Sequence, residues 1–419
     1  GVQYGFSPQD YKQGDMWNFY DKPLVANYSG FYRLPLGNPQ PIEDTIANNP
    51  GSFGYDEATH KFNLPPPSGR SDLTIYGSRS TIDNGLEKDP LIDLSPSPTN
   101  SLQINRQDVY ESLTVNQNIG TRLNIPLAAP DNVQLNFSGG LDYKTYQVRT
   151  TKTNLFLFSQ VIYNGVTGNP DSTNNSTIAS PVPATIQQIQ YLPLSFRADA
   201  NWRDSAGSTS LGLGLSVNPW YSSQTYVTST STDTNGVSTT TTTKTYGSSS
   251  LQNITGSAKS TGYWVVLNPS YERTFIFRTN WVTSFRLDGQ WASQPLISNE
   301  RFGIGGVNSV RGYHEGEAFG DTGWHMSLEQ QTPPHLVGMV HGNVPLTLRG
   351  SVYMDFAAAY QLDPQGGPVS TRLWGTGFGI AASLGSHWQA NFLISVPLIS
   401  TSFTPRDEPY FNFSMTSQF

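Results

Sequence analysis

Cysteine is absent from all 419 residues. That removes disulfides, thiol nucleophiles and thiolate metal sites from consideration. Charge is also scarce. Asp, Glu, Lys and Arg supply 13% of the chain, roughly half their share in an ordinary soluble protein. Hydrophobic residues stop at 36%, and no stretch approaches the roughly 18 consecutive apolar residues of a membrane-crossing helix. The six histidines are His60, His314, His325, His335, His341 and His387; none shows the spacing of a zinc site, so no metal and no cofactor are expected. No Gly-x-Ser-x-Gly nucleophile turn occurs. The one glycine-dense match to a phosphate loop, Gly375–Gly379, lies in a strand pattern rather than ahead of a helix, which rules against nucleotide binding. The net charge of −7 argues against a nucleic-acid partner. These absences leave no basis for an enzyme.

What fills the space is Gly, Ser, Thr, Asn, Gln and aromatic residues, the last at 12%. Apolar and polar residues alternate along most of the chain. Val133, Leu135, Phe137, Leu141 and Tyr143 oppose Gln134, Asn136, Ser138 and Asp142. Trp281, Phe285, Leu287 and Trp291 oppose Ser284, Arg286, Asp288 and Gln290. A period of two is the signature of strands with one apolar face. The other face carries Arg and Asp in mid-strand, which suits a wet interior bounded by lipid outside. About sixteen such segments are expected, an even number compatible with a sheet closed on itself, as a lipid environment requires. The predicted fold is therefore all-β: a closed antiparallel transmembrane β-barrel over residues 1–419.

The connectors are unequal, and short turns at one end with long polar loops at the other is the barrel pattern. Residues 222–262 form a low-complexity Ser/Thr run, expected to be an extracellular loop without packing content. The final stretch puts Phe411, Phe413 and Phe419 on one face. An aromatic strand at the C-terminus resembles the signal that outer-membrane barrel-assembly machinery reads.

One stretch breaks the alternation. Between Arg301 and Trp324 the chain reads RFGIGGVNSVRGYHEGEAFGDTGW. Phe302, Ile304, Gly305, Gly306, Val310, Arg311, Gly312, Tyr313, Gly320 and Asp321 match the sixth-loop motif of the polypeptide-transporting barrels related to BamA. The closest resemblance is to the two-partner-secretion transporters of the haemolysin-activator type (TpsB, ShlB/FhaC type). The resemblance is strong over Ser284–Phe419 and weak before it. It implies a plug loop, residues 297–322, folded back into the lumen, with its arginine meeting an acid on the wall. In the strand that follows, alternation turns Asp355 toward the lumen, and the family's aromatic-x-Asp context is matched by Tyr353-Met354-Asp355. Asp355 is the expected latch partner of Arg311, with Glu329 as its competitor.

The resemblance also implies the function: a translocation pore in the bacterial or organellar outer membrane, secreting an unfolded partner protein. Its partners would be the client polypeptide, outer-membrane lipid and, during biogenesis, the assembly machinery. An assembly insertase of the BamA type is the close alternative, and a passive diffusion porin the second. Family members carry periplasmic polypeptide-transport-associated domains ahead of the barrel; no such mixed helix-and-sheet pattern is expected in this chain.

Overall fold

The computed structural model describes residues 2–7, 25–36, 54–56, 61–63, 71–88, 91–95, 102–127, 129, 133–163, 170–232, 238–277, 280–340, 344–364, 366–385 and 387–417. Phe419 and the segment 14–23, which the alternation marks as a strand, lie outside the described residues.

One antiparallel sheet of 19 strand segments dominates. Several segments are halves of one wall strand. Pro170–Tyr191 and Leu194–Asp204 pair with the upper and lower parts of Val133–Tyr163. Thr322–Gln331 and His335–Val340 likewise share Val344–Tyr360 as neighbour. The wall therefore has fewer positions than segments, in keeping with the expected sixteen or so. No described helix is long and apolar enough to cross a membrane.

The two faces of the sheet differ as the alternation requires. Val352, Met354, Phe378, Ile380, Phe411, Phe413 and Met415 stand exposed on one face. Tyr353 and Asp355, which alternate with Val352 and Met354, and Ser395, in register with Tyr353 through Gly377, are buried on the other. A row of exposed aromatics and aliphatics with polar groups behind it inverts the order of a soluble protein, and is the arrangement lipid selects. The inner face is covered by the loop between Val282–Ala292 and Thr322–Gln331. Near its root, Glu300 accepts hydrogen bonds from Lys144 at 2.8 Å and Tyr191 at 2.6 Å. Near its tip, Tyr313 reaches the carbonyl of Ile399. In a flat sheet the strands bearing Lys144 and Trp374 would lie seven spacings, roughly 34 Å, apart; the wall curves around the loop instead.

The turns at one end are tight, as at Ser205–Ala206, and the connectors at the other are long, as at 293–321 and 398–409. At the long-loop end the structure departs from the sequence expectation. The Ser/Thr run was expected to lack packing. Instead Tyr221–Thr232 and Ser238–Tyr246 pair as a hairpin, and Gly247–Thr255 is a helix. Threonine is β-branched and favours strands whatever its polarity. The helix buries Leu251 against Ile189, Tyr191, Trp264, Val266, Ala292, Leu296 and Ile297, and Ser250 bonds Ser223 and Thr225 at 2.8 Å each.

Candidate functional site: the loop and its seat

The loop folds as a small hairpin. Phe302–Ile304 pairs with Ala318–Gly320, leaving residues 305–317 as the tip. Gly320 is packed so closely on the wall that a Cβ there would lie 2.5 Å from the Tyr360 nitrogen. The next residue, Asp321, is buried and holds the loop's two ends together: its carboxylate accepts the N–H groups of Leu296 at 2.8 Å and Leu362 at 2.9 Å. Arg301 lies 3.5 Å from the same carboxylate. The Gly-Asp of the motif therefore serves the root.

The tip turns at Gly312, whose φ of 99° belongs to the left-handed region that favours glycine. The turn aims Arg311 at the wall. Its Nε donates to Asp355 Oδ2 at 2.6 Å, its Nη2 to Asp355 Oδ1 at 2.8 Å, and its backbone N–H to Oδ2 at 3.1 Å. Its Nη1 donates to Glu329 Oε2 at 2.6 Å. The expected partner and its competitor thus bind the same guanidinium, from adjacent strands. Register explains this: Asp355 pairs with Ser327, and Glu329 with Tyr353, so all four side chains share the inner face. Ser327 Oγ donates to Asp355 Oδ1 at 2.6 Å. The guanidinium carbon sits 3.4 Å from the Tyr353 ring centroid, a stacked cation–π contact. The Asp355 side chain is fully buried, that of Arg311 is 10% exposed and that of Glu329 21%. Burial opposes the charge on Arg311, but the bonds and charge of Asp355 and then Glu329 outweigh it and hold the guanidinium above its ordinary value.

Two further anchors hold the tip. Tyr313 is buried; its hydroxyl donates to the Ile399 carbonyl at 2.8 Å and accepts the N–H groups of Trp374 and Ile399. Burial pushes its phenol upward. Glu317, also buried, accepts Thr404 Oγ1 at 2.8 Å and Thr401 Oγ1, tying the tip to the 398–409 connector. His314 makes a polar contact there, with Nδ1 2.9 Å from Thr404 Oγ1. Phe302, Gly305, Gly306 and Val310 pack beside these anchors; Val310 is fully buried in a cluster with Ile304, Tyr313, Ala357, Ala359 and Leu373. Phe411 and Phe413 stand on the opposite, outer face, 60% and 68% exposed.

Sequence reasoning missed the floor of the seat. Gly375, Gly377 and Gly379 alternate along Ser370–Leu384 and pair with Asp355, Tyr353 and Ser351. A Cβ on Gly375 would lie 2.0 Å from the Arg311 carbonyl oxygen, and one on Gly377 would lie 2.6 Å from the Tyr353 hydroxyl. These glycines are the GTGFG stretch set aside above as a failed phosphate loop. Their period of two was the available signal: glycine at every second position of a strand empties one face.

Residues 203–382 match the family described as haemolysin secretion/activation protein ShlB/FhaC/HecB. The resemblance first seen in the loop extends over that span. No curated protein matches the chain. Among solved structures, CdiB from Escherichia coli is similar with a TM-score of 0.42 and 13% identity, over 99% of this chain and 67% of that one. BamA from Haemophilus ducreyi lacking POTRA domains 1-3 gives 0.35 and 11%, over 100% and 75%. CdiB from Acinetobacter baumannii gives 0.31 and 12%, over 100% and 65%. The chain thus spans about two thirds to three quarters of the length of these structures.

Proposed function

We propose that this chain forms an outer-membrane pore through which an unfolded partner protein is secreted, and that the loop Ser293–Asp321 is its plug, latched by Arg311 on Asp355. The observation that carries the reading is the seat of Arg311: a loop tip lying on the inner wall, its guanidinium shared by two carboxylates on adjacent strands. The family match across residues 203–382 supports the transport role.

A buried ion pair suits a latch that must open. Its net contribution to stability is small, because desolvation offsets attraction, yet stranding one member costs about 3–5 kcal/mol. When water enters the seat, both charges regain hydration together and the contact releases at little net cost. The bidentate geometry allows return to one position only. With Asp355 on one side and Glu329 on the other, the guanidinium has two acceptors, so the tip loses its bonds in steps.

Deleting Val307–Glu317 tests the plug. Single-channel conductance in planar bilayers should rise severalfold, because the tip no longer occupies the conduit. Unchanged conductance would show that the loop does not narrow the pore. The secretion reading is tested separately, by co-expressing the chain with a large β-rich protein encoded beside it. That protein should appear in the medium only when this chain is present.

A further inference from the structure

On the outer face, near the tight-turn end, the apolar surface has a notch. Across four strands one row runs Leu348, Ala382, Ala390 and Met415. The row above carries Ile380 beside Phe392, and the row below Leu384 beside Trp388. Two alanines side by side within a belt of large side chains leave a depression one strand spacing wide. A cleft of about 110 Å³ opens there, lined by Ala382, Ala390, Leu384, Trp388 and Met415. A second, of about 180 Å³, continues it toward the turns past Val340, Val344 and His387. The two share Leu384 and Trp388, so they form one groove along the last few residues of the wall at its tight-turn end.

We propose that this groove is a binding site for one acyl chain of a phospholipid from the periplasmic leaflet. It is continuous with the lipid-facing surface on which Phe378, Ile380 and Phe413 stand exposed, so hydrocarbon is the medium that meets it. A void beside a packed surface forfeits dispersion contacts, and a flexible methylene chain restores them where a rigid neighbouring side chain cannot reach. The tight-turn end is the periplasmic end in the barrel arrangement. Trp388 opens its strand at the tight-turn end, close to Gly385, where an indole marks headgroup depth. A chain entering between Leu384 and Trp388 and ending against the alanines therefore keeps its headgroup at the interface. The inference rests on the membrane location and is independent of what the pore carries.

The test is native mass spectrometry of the full chain recovered from phosphatidylethanolamine vesicles. The wild type should keep one phospholipid per chain at activation that strips the bulk lipid. Filling the notch with Ala382→Leu and Ala390→Phe should lower that occupancy at least fivefold, with heat-modifiable gel migration unchanged. Val352→Trp, which adds bulk to the outer face away from the groove, should leave it intact. If the filled chain does not fold, Trp388→Ala, which removes a wall without adding volume, takes its place with the same expectation. Equal occupancy in the filled or wall-less chain, a wild type that keeps no phospholipid, or retention of lipopolysaccharide alone overturns the proposal. Secretion of the partner should not change in any of these variants, which separates this site from the plug.

Discussion

At its tip the loop is held by a guanidinium set between Asp355 and Glu329; at its root it is held by Leu296 and Ile297 in a dry cluster with Leu251 and Trp264. The two attachments obey different rules. The tip's charges lose hydration when they dock and regain it when they part, so the contact is selective and close to neutral. The root's side chains can only part by exposing hydrocarbon, at about 25 cal/mol per Å². Arg301 and Asp321 reinforce the root, but their work is to satisfy backbone groups of Leu296 and Leu362 rather than to hold the loop by charge. Val310 and Tyr313 bury hydrocarbon at the tip as well, so the contrast is one of degree; we propose that the root is the pivot and the tip the end that swings.

The strongest way to break this contrast is at the tip. Asp355→Ala leaves a buried guanidinium without its main partner, a loss of about 3–5 kcal/mol. The plug should be displaced in most molecules, seen as a conductance rise close to that of the loop deletion. Exchanging the charges, Arg311→Asp with Asp355→Arg, should recover more of the closed state than either single change; a double variant no better than the singles would refute the pairing. Next in size is Leu296→Ala at the root. It leaves a cavity worth about 2–5 kcal/mol, and should lower the temperature of heat-modifiable migration while conductance stays near wild type. Gly375→Ala places a methyl group against the Arg311 carbonyl, and should open the channel intermittently without lowering that temperature. Glu329→Gln is the mildest. Its side chain is partly exposed and keeps a hydrogen-bond acceptor, so about 1 kcal/mol is at stake, and channel noise should rise without a new mean level.

How much of this was legible follows from where each residue sits. Strands in lipid announce themselves because one face must be apolar; Val133 to Tyr143 could be read directly. Their upper continuations were legible only in part. Beyond the bilayer both faces of a strand are wet and the period weakens: residues 154–163 still read as a strand, but residues 170–184, which include their pairing partners, did not. The Ser/Thr helix escaped for a related reason, since Leu251 is its one fully buried large side chain. Arg311 and Asp355 were legible through motif and alternation together. That Glu329 joins rather than competes depends on the pairing of two strands, which one strand's pattern does not contain. The glycine floor was visible but was judged against the wrong template.

The wall is also lopsided. Val133–Tyr163 runs for 31 residues, whereas Trp388–Pro397 and Tyr410–Ser417 run for 10 and 8. A bilayer needs about 9–11 residues per strand, so the short strands end near the headgroups while the long ones rise on the order of 50 Å beyond them after allowing for tilt. The outer mouth is a screen rather than a chimney: anything leaving it has a hydrogen-bonded palisade at its back and open water in front.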